Sequence, residues 1–255
     1  MSAAVSSPVR LGAVSIASAV GFVLLWEIVA RLHLMPATLL PAPSSVALAF
    51  ESEFHSGRWL ANVLASLSHY AVGVGIGTLL GIWFGLATAQ WPLFNALTEG
   101  VARLLRPISP IAWLPFAIIW FGIGEAAAAF IIATGVFWLN YIATQSAARA
   151  VDADKIELAH AFGQGAFFTR VRKIVLPGAA PGILSGVRAG VSMGWIAVLA
   201  AEMLGVAGVG QRLLEASGVL ATDLVVLYMA TIAALYAVTD SALEWLTRRL
   251  LPWKH

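Results

Sequence analysis

LANVLASLSHYAVGVGIGTLLGIWFGLATA, Leu60–Ala89, contains no Asp, Glu, Lys or Arg. A helix needs about 20 predominantly apolar residues to cross a hydrocarbon core of ~30 Å, and this run is longer. Inside it Gly73, Gly77, Gly81 and Gly85 recur every fourth residue. That period places them on one helix stripe, where a missing side chain lets a second backbone approach closely. The fold class is therefore all-α, a bundle of transmembrane helices in contact through small residues. A second stripe, Gly182, Gly186, Gly190 and Gly194, repeats the pattern further along.

Outward from this run, further apolar stretches occur at Leu11–Ala30, Ile108–Phe121, Ala126–Gln145, Ala179–Ala201 and Leu224–Ala242. They give a polytopic bundle of about six spans in a single transmembrane domain covering residues 1–255. The third is short and interrupted by Pro110 and Pro115, so Leu93–Arg106 is expected to lend it a turn or two. The chain is 60% hydrophobic and 11% charged, with a mean hydropathy of +0.87. Soluble domains carry about 25% charged residues, so water is the wrong solvent for most of this surface. With both termini cytoplasmic, the inner segments hold Arg10, Arg103, Arg106, Arg149, Lys155, Arg170, Arg172, Lys173, Arg248, Arg249 and Lys254, against only Arg31, Arg58 and Arg212 outside. Retention of Lys and Arg inside orients such chains, giving N-in and C-in. The first span exceeds a signal-peptide h-region of about 7–15 residues and lacks a small-residue cleavage site, so it is expected to remain as an anchor.

Basic residues fall in short clusters between spans, which excludes a nucleic-acid stripe. The chain has no cysteine, and its five histidines are dispersed with none at metal-ligand spacing, so no metal site is expected. Gly190-Val-Ser-Met-Gly194 matches a nucleophile-elbow pattern, but it lies in an apolar helix and shares its glycines with the packing stripe, so no catalytic residue is assigned. No Gly-x-x-x-x-Gly-Lys-Ser/Thr phosphate loop is present. Among the spans the ionisable residues Glu27, Arg188, Glu202 and Asp240 read as isolated charges. Asn140, Trp195 and Glu202 are the polar or amphipathic candidates for lining a pathway. In the outer segment, Ser44 reads as the N-cap of a short helix Ser45–Phe54.

The loop between the fourth and fifth spans, Ala147–Pro177, carries the most information. Asp154 and Glu157 have capping-box spacing at a helix start, and Gly163 is a natural terminator. A second short helix is expected over Phe167, Phe168 and Val171, with Arg170, Arg172 and Lys173 as its basic face. Glu157-Leu-Ala159, then Gly163, then Ile174-Val-Leu176-Pro177 resembles the EAA loop of binding-protein-dependent ABC transporter permeases, with Leu158 in place of Ala and one extra residue after the glycine. Ile111–Gly124, Pro177–Arg188, Trp195–Glu202, Thr222-Asp223 and Leu40–Ser44 resemble the sulfonate/nitrate/taurine subfamily.

The resemblance implies a permease subunit rather than an enzyme, a homodimer with a second copy, and a cytoplasmic ABC ATPase dimer docked on the loop. It also implies an extracytoplasmic solute-binding protein. Cofactors on this chain are expected to be none, with ATP and Mg held by the ATPase. Membrane lipid is the remaining partner, and nucleic acid is not one. The competing reading is a secondary transporter or channel, which would need paired intramembrane charges for coupling.

Overall fold

The computed structural model describes residues 8–32, 34, 36, 38–152 and 167–250. Among them every regular element is helical: α1 (Pro8–Arg31), α2 (Pro43–His55), α3 (Arg58–Gln90), α4 (Pro92–Leu105), a 3₁₀ turn (Pro110–Trp113), α5 (Leu114–Phe121) and α6 (Glu125–Arg149). After the undescribed stretch, Phe167–Arg170 and a wide turn Val171–Val175 lead into α7 (Leu176–Glu202), then α8 (Val209–Gly218) and α9 (Thr222–Leu250). Among the described residues four helical stretches are singly long and apolar enough to cross a membrane: Arg58–Gln90, Glu125–Arg149, Val171–Glu202 and Thr222–Arg249. The expected runs end earlier because apolar composition stops where polar helix ends emerge; α3, at 33 residues, is about 50 Å long against a core of ~30 Å.

The third expected span is not one straight helix. α4 and the Pro110–Phe121 segment meet at 96°. Pro107 and Pro110 interrupt the chain there, because each removes a backbone N–H and restricts the residue before it. The segment nevertheless follows its neighbour α6 over more than half of that helix. Asn95 meets Gln145, Pro110 meets Gly135, and Phe121 meets Phe130. From 145 to 130 is 15 residues along α6, or roughly 22 Å at 1.5 Å per residue. Together the two arms advance along α6 in the antiparallel sense and are long and apolar enough for one span.

Contacts divide the chain into two compact units, Met1–Leu60 with Leu213–Ala230, and Ala61–Arg212 with Thr231–His255. In the first, the segment after α1 folds back on the helix. Trp26 Nε1 donates to Pro41 C=O at 3.0 Å, and the Ser44 N–H and hydroxyl donate to Glu27 at 3.0 and 2.9 Å. Ser44 is therefore not the cap of α2. Ala42 holds the extended N-cap position and Pro43 opens the helix, since its fixed φ suits a first helical turn. Glu53 of α2 is buried and accepts from the Tyr228 hydroxyl at 2.7 Å, with Arg58 at 3.4 Å.

The second unit is built on α3, α6 and α7. Tyr70, Val74, Ile132, Val136, Val191, Trp195, Ala197 and Val198 form its largest apolar cluster. Both glycine stripes lie inside this one chain. A Cβ on Gly73, Gly77, Gly81 or Gly85 would stand 2.5–2.7 Å from atoms of α6. One on Gly182 or Gly186 would meet Ala147 or Ala143, one on Gly190 would meet Asn140, and one on Gly194 would meet Val74. The pairings also give direction. Gly73 faces Ile132 and Gly85 faces Thr144, so α3 and α6 run parallel; Gly182 faces Ala147 and Gly190 faces Asn140, so α7 runs antiparallel to both.

Candidate functional site

Glu202, the last residue of α7, has no solvent exposure. Such a carboxylate must be fully hydrogen-bonded to be tolerated, and it is. Its Oε2 accepts from the Ser66 hydroxyl at 2.9 Å and from the Gly210 N–H at 2.8 Å, while Oε1 lies 3.0 Å from His69 Nδ1. Ser66 Oγ in turn accepts from the Val209 N–H at 2.9 Å. Val209 and Gly210 are the first residues of α8, whose opening N–H groups have no partner within the helix. The carboxylate and the hydroxyl therefore cap α8 from inside the bundle, with the charge placed where the helix dipole favours it. Gly208 is obligatory here, because a Cβ would overlap the Glu202 carboxylate. α8 itself carried no recognisable signal in the sequence, since its capping groups come from the end of α7 and from Ser66, 143 positions before Val209.

A second polar cluster lies on the face shared by α7 and α9. Arg188 Nε and Nη2 donate to the two oxygens of Asp240 at 3.0 and 2.8 Å, a bidentate pair. Glu244 stands 4.0 Å from Arg188 and takes Arg248 at 2.8 Å, so the charges alternate along the face. One turn on, Ser192 Oγ and Tyr236 Oη are 3.4 Å apart, and Trp195 Nε1 donates to Thr239 at 3.0 Å. The Arg188 side chain is 53% exposed. Twelve residues separate it from Leu176 and fourteen from Glu202, about 18 and 21 Å along the helix, so it sits at mid-length. The reading of Arg188 and Asp240 as isolated charges is overturned. They are 52 positions apart, and only the antiparallel register of α7 and α9 brings them together.

Of the three pathway candidates from sequence, Glu202 and Asn140 are fully buried and Trp195 is 3% exposed. Asn140 Nδ2 donates to Val136 C=O at 3.0 Å and reaches Thr78 Oγ1 at 3.4 Å, while its Oδ1 is buried with no partner. Trp195 stacks on Tyr70 at 4.5 Å between centroids. None of the three meets the Arg188–Asp240 pair directly. In the loop, Glu157, Ala159 and Gly163 lie outside the described residues. Beyond them the chain is helical from Phe167 into α7 without a break, and Leu176 N–H donates to Val171 C=O five residues back. Pro177 follows with no N–H to give. Val175 is buried against Ala148, Ala179 and Ile183, which fixes the root of the loop to α6 and α7. Arg172 and Pro177 are exposed, Arg170 and Ile174 half-buried, and Leu176 40% exposed.

Residues 77–252, from the glycine stripe of α3 past the end of α9, match the family described as binding-protein-dependent transport system inner membrane component. The chain belongs to this family. Among the relatives of this transport component is the putative aliphatic sulfonates transport permease protein SsuC of Bacillus subtilis (strain 168), 29% identical over 91% of this chain and 84% of that protein. The taurine transport system permease protein TauC of Escherichia coli (strain K12) is 32% identical over 89% of this chain and 85% of its own length. The inward-facing MetNI methionine ABC transporter shares the fold, with a TM-score of 0.61 at 20% identity over 76% of this chain and 94% of that one. For an inner membrane component, the α7–α9 face has a defined physical meaning. Arg and Asp at mid-span cost about 2.5–3.5 kcal/mol each on insertion scales when they face lipid. With Arg188 53% and Asp240 20% exposed, the pair is less costly against water or another protein than against lipid.

Proposed function

We propose that this chain is the membrane-spanning permease subunit of an ATP-driven ABC importer, and that the α7–α9 face forms part of the wall of its translocation pathway. The observation that carries the reading is the Arg188–Asp240 pair, with the Arg188 guanidinium half-exposed at the middle of α7. Arg188 uses two of its five N–H donors on Asp240 and has Glu244 at 4.0 Å from Nη2, which leaves the Nη1 donors to meet an oxyanion. This supports a small anionic or zwitterionic solute, and the sulfonate and taurine permeases among the relatives make an aliphatic sulfonate, taurine, nitrate or similar small anion the substrate class. The buried residues Asn140, Trp195 and Glu202 then act as supports behind the wall.

In this reading the subunit performs no chemistry of its own. It pairs with a second copy, receives solute from an extracytoplasmic binding protein, and is driven by a separate cytoplasmic ATPase that holds ATP and Mg. Both termini face the cytoplasm, as the distribution of Lys and Arg favours. Glu157, Ala159, Gly163, Arg170, Arg172, Ile174, Leu176 and Pro177 belong to the segment that docks on the ATPase. The packing of Val175 supports this, because motion imposed on the loop is passed to α6 and α7 through a closed apolar contact.

The test is affinity purification of the tagged chain in mild detergent, with Gly163→Asp alongside. An ATPase carrying a Gly-x-x-x-x-Gly-Lys-Ser/Thr loop should come with the wild type and be depleted with the variant, while both insert equally. A paired intramembrane charge is also what an ion-coupled transporter uses. Solute uptake into proteoliposomes holding this chain alone, driven by a proton gradient, would replace the importer reading with that one.

A further inference from the structure

A cavity of about 570 Å³ opens between α4 and the C-terminal end of α6, lined by Asn95, Glu99, Arg103, Arg106, Gln145 and Arg149 among others. Three arginines and one glutamate leave a formal charge of 3 − 1 = +2. The acceptors are already engaged. Glu99 takes Arg103 Nη2 at 2.8 Å on one oxygen and Asn95 Nδ2 at 3.3 Å on the other. Asn95 Oδ1 accepts from both Arg149 Nη2 at 2.8 Å and Gln145 Nε2 at 3.1 Å. What remains toward the cavity is a set of donors. Arg106 has no hydrogen-bond or ion-pair partner among the described residues, and Arg149 meets no carboxylate there.

Arginine near a helix C-terminus suits the helix dipole, and arginine on the inner side suits topology. Neither requires three guanidinium groups to converge on one cavity, nor Arg149 to be fixed by Asn95 and by the Thr88 carbonyl at 3.5 Å. Arg149, fixed by neutral acceptors, and Arg106, with no side-chain partner among the described residues, keep donors that match the geometry of a phosphate or sulfonate group, which accepts several N–H bonds at once. The site also lies where α3 and α6 leave their apolar runs, at Thr88 and Arg149. That is the depth of lipid headgroups.

We propose that this pocket binds a tetrahedral oxyanion through Arg106 and Arg149, with Arg103 and Gln145 as flanking donors. The same chemistry is offered by the headgroup phosphate of an anionic lipid and by a free oxyanion. The inference stands on the cavity alone and is independent of the pathway assigned above.

The protein, delipidated in neutral detergent, is titrated with phosphatidylglycerol and with phosphatidylcholine, bound lipid being counted by native mass spectrometry. Sodium sulfate is titrated in parallel by thermal shift. Arg106→Ala removes no internal hydrogen bond or ion pair among the described residues, so its melting temperature without ligand should stay close to wild type. Loss of one charge-assisted fork should weaken binding about tenfold or more, and Arg106→Lys should restore it only in part. Phosphatidylglycerol preference lost in Arg106→Ala identifies a lipid site. A sulfate-induced stabilisation lost in the same variant, without lipid preference, identifies a free-anion site. Equal binding of both ligands by wild type and Arg106→Ala overturns the proposal.

Discussion

Replacing Gly77 by alanine tests the helix contact most directly, because the same helix supplies its own control. A Cβ at Gly77 would stand 2.6 Å from Ala133 C=O, 2.9 Å from Val136 Cβ and 3.0 Å from Ala133 Cα. Two of these are backbone atoms that cannot rotate away. Ordinary contact begins at 3.4 Å, so α3 and α6 must separate by 3.4 − 2.6 = 0.8 Å at that level. A gap of this size forfeits a quarter to a half of the dispersion energy of atoms on both sides, and overpacking of this kind costs about 1–3 kcal/mol. Gly75, half a turn away, has nothing within 4 Å of its added Cβ. Alanine at either position gains the same helix propensity, about 1 kcal/mol, so that gain cancels in the comparison. At about 2–4 °C per kcal/mol for a chain of this size, Gly77→Ala should melt about 2–12 °C below Gly75→Ala. Intrinsic tryptophan fluorescence during a thermal ramp in mild detergent reads this, and Gly81→Ala should fall with Gly77→Ala. Equal melting of the Gly75 and Gly77 variants would refute a tight α3–α6 contact in this register.

Glu202→Leu strands the Ser66 hydroxyl, His69 and the Gly210 N–H, at an expected cost of about 2–5 kcal/mol. Glu202→Gln keeps one acceptor and should lose about half as much by thermal melting; a stable leucine variant would contradict the capping role. Arg188→Ala should reduce ATP-driven solute uptake by about tenfold or more, since a charge-assisted contact to the solute is lost. Exchanging the charges (Arg188→Asp with Asp240→Arg) should recover the melting temperature of the wild type but not uptake, and recovery of both would mean the pair is only structural. Trp195→Phe keeps the stack on Tyr70 but loses the bond to Thr239, so a loss of about 1 kcal/mol is expected, checked by melting without any change in solute affinity.

The fold was legible where one helix carries its own signal. Apolar run length located α3, α6, α7 and α9, and the four-residue glycine period identified the faces that meet. The breaks were less legible. Pro107 and Pro110 mark an interruption in the third crossing but do not give its angle. That the segment crosses at all follows from α3 and α6 being parallel, a relation no local pattern encodes. α8 was invisible for a related reason. Its N-terminus is held by Glu202 and Ser66, residues of two other helices, instead of by a cap of its own.

The site shows the same division more sharply. Sequence reading ranks a buried-looking polar residue in a span as a pathway candidate, and so selects Asn140, Trp195 and Glu202. In this conformation the three are buried, enclosed by α3, α6 and the start of α8. Arg188 and Asp240 looked like single charges near polar or interfacial positions, with nothing in the spacing to join them. Their pairing depends on the offset between α7 and α9, which Ser192 with Tyr236 also reports. The two interfaces of α7 therefore differ in kind. Toward α6 it presents glycine to backbone and small side chains, a contact that cannot slide without overlap. Toward α9 it presents long polar side chains that can exchange partners while the backbones stay apart. If the α7–α9 face walls the passage as proposed, its adaptable surface is this second interface, where the exposed Arg188 lies.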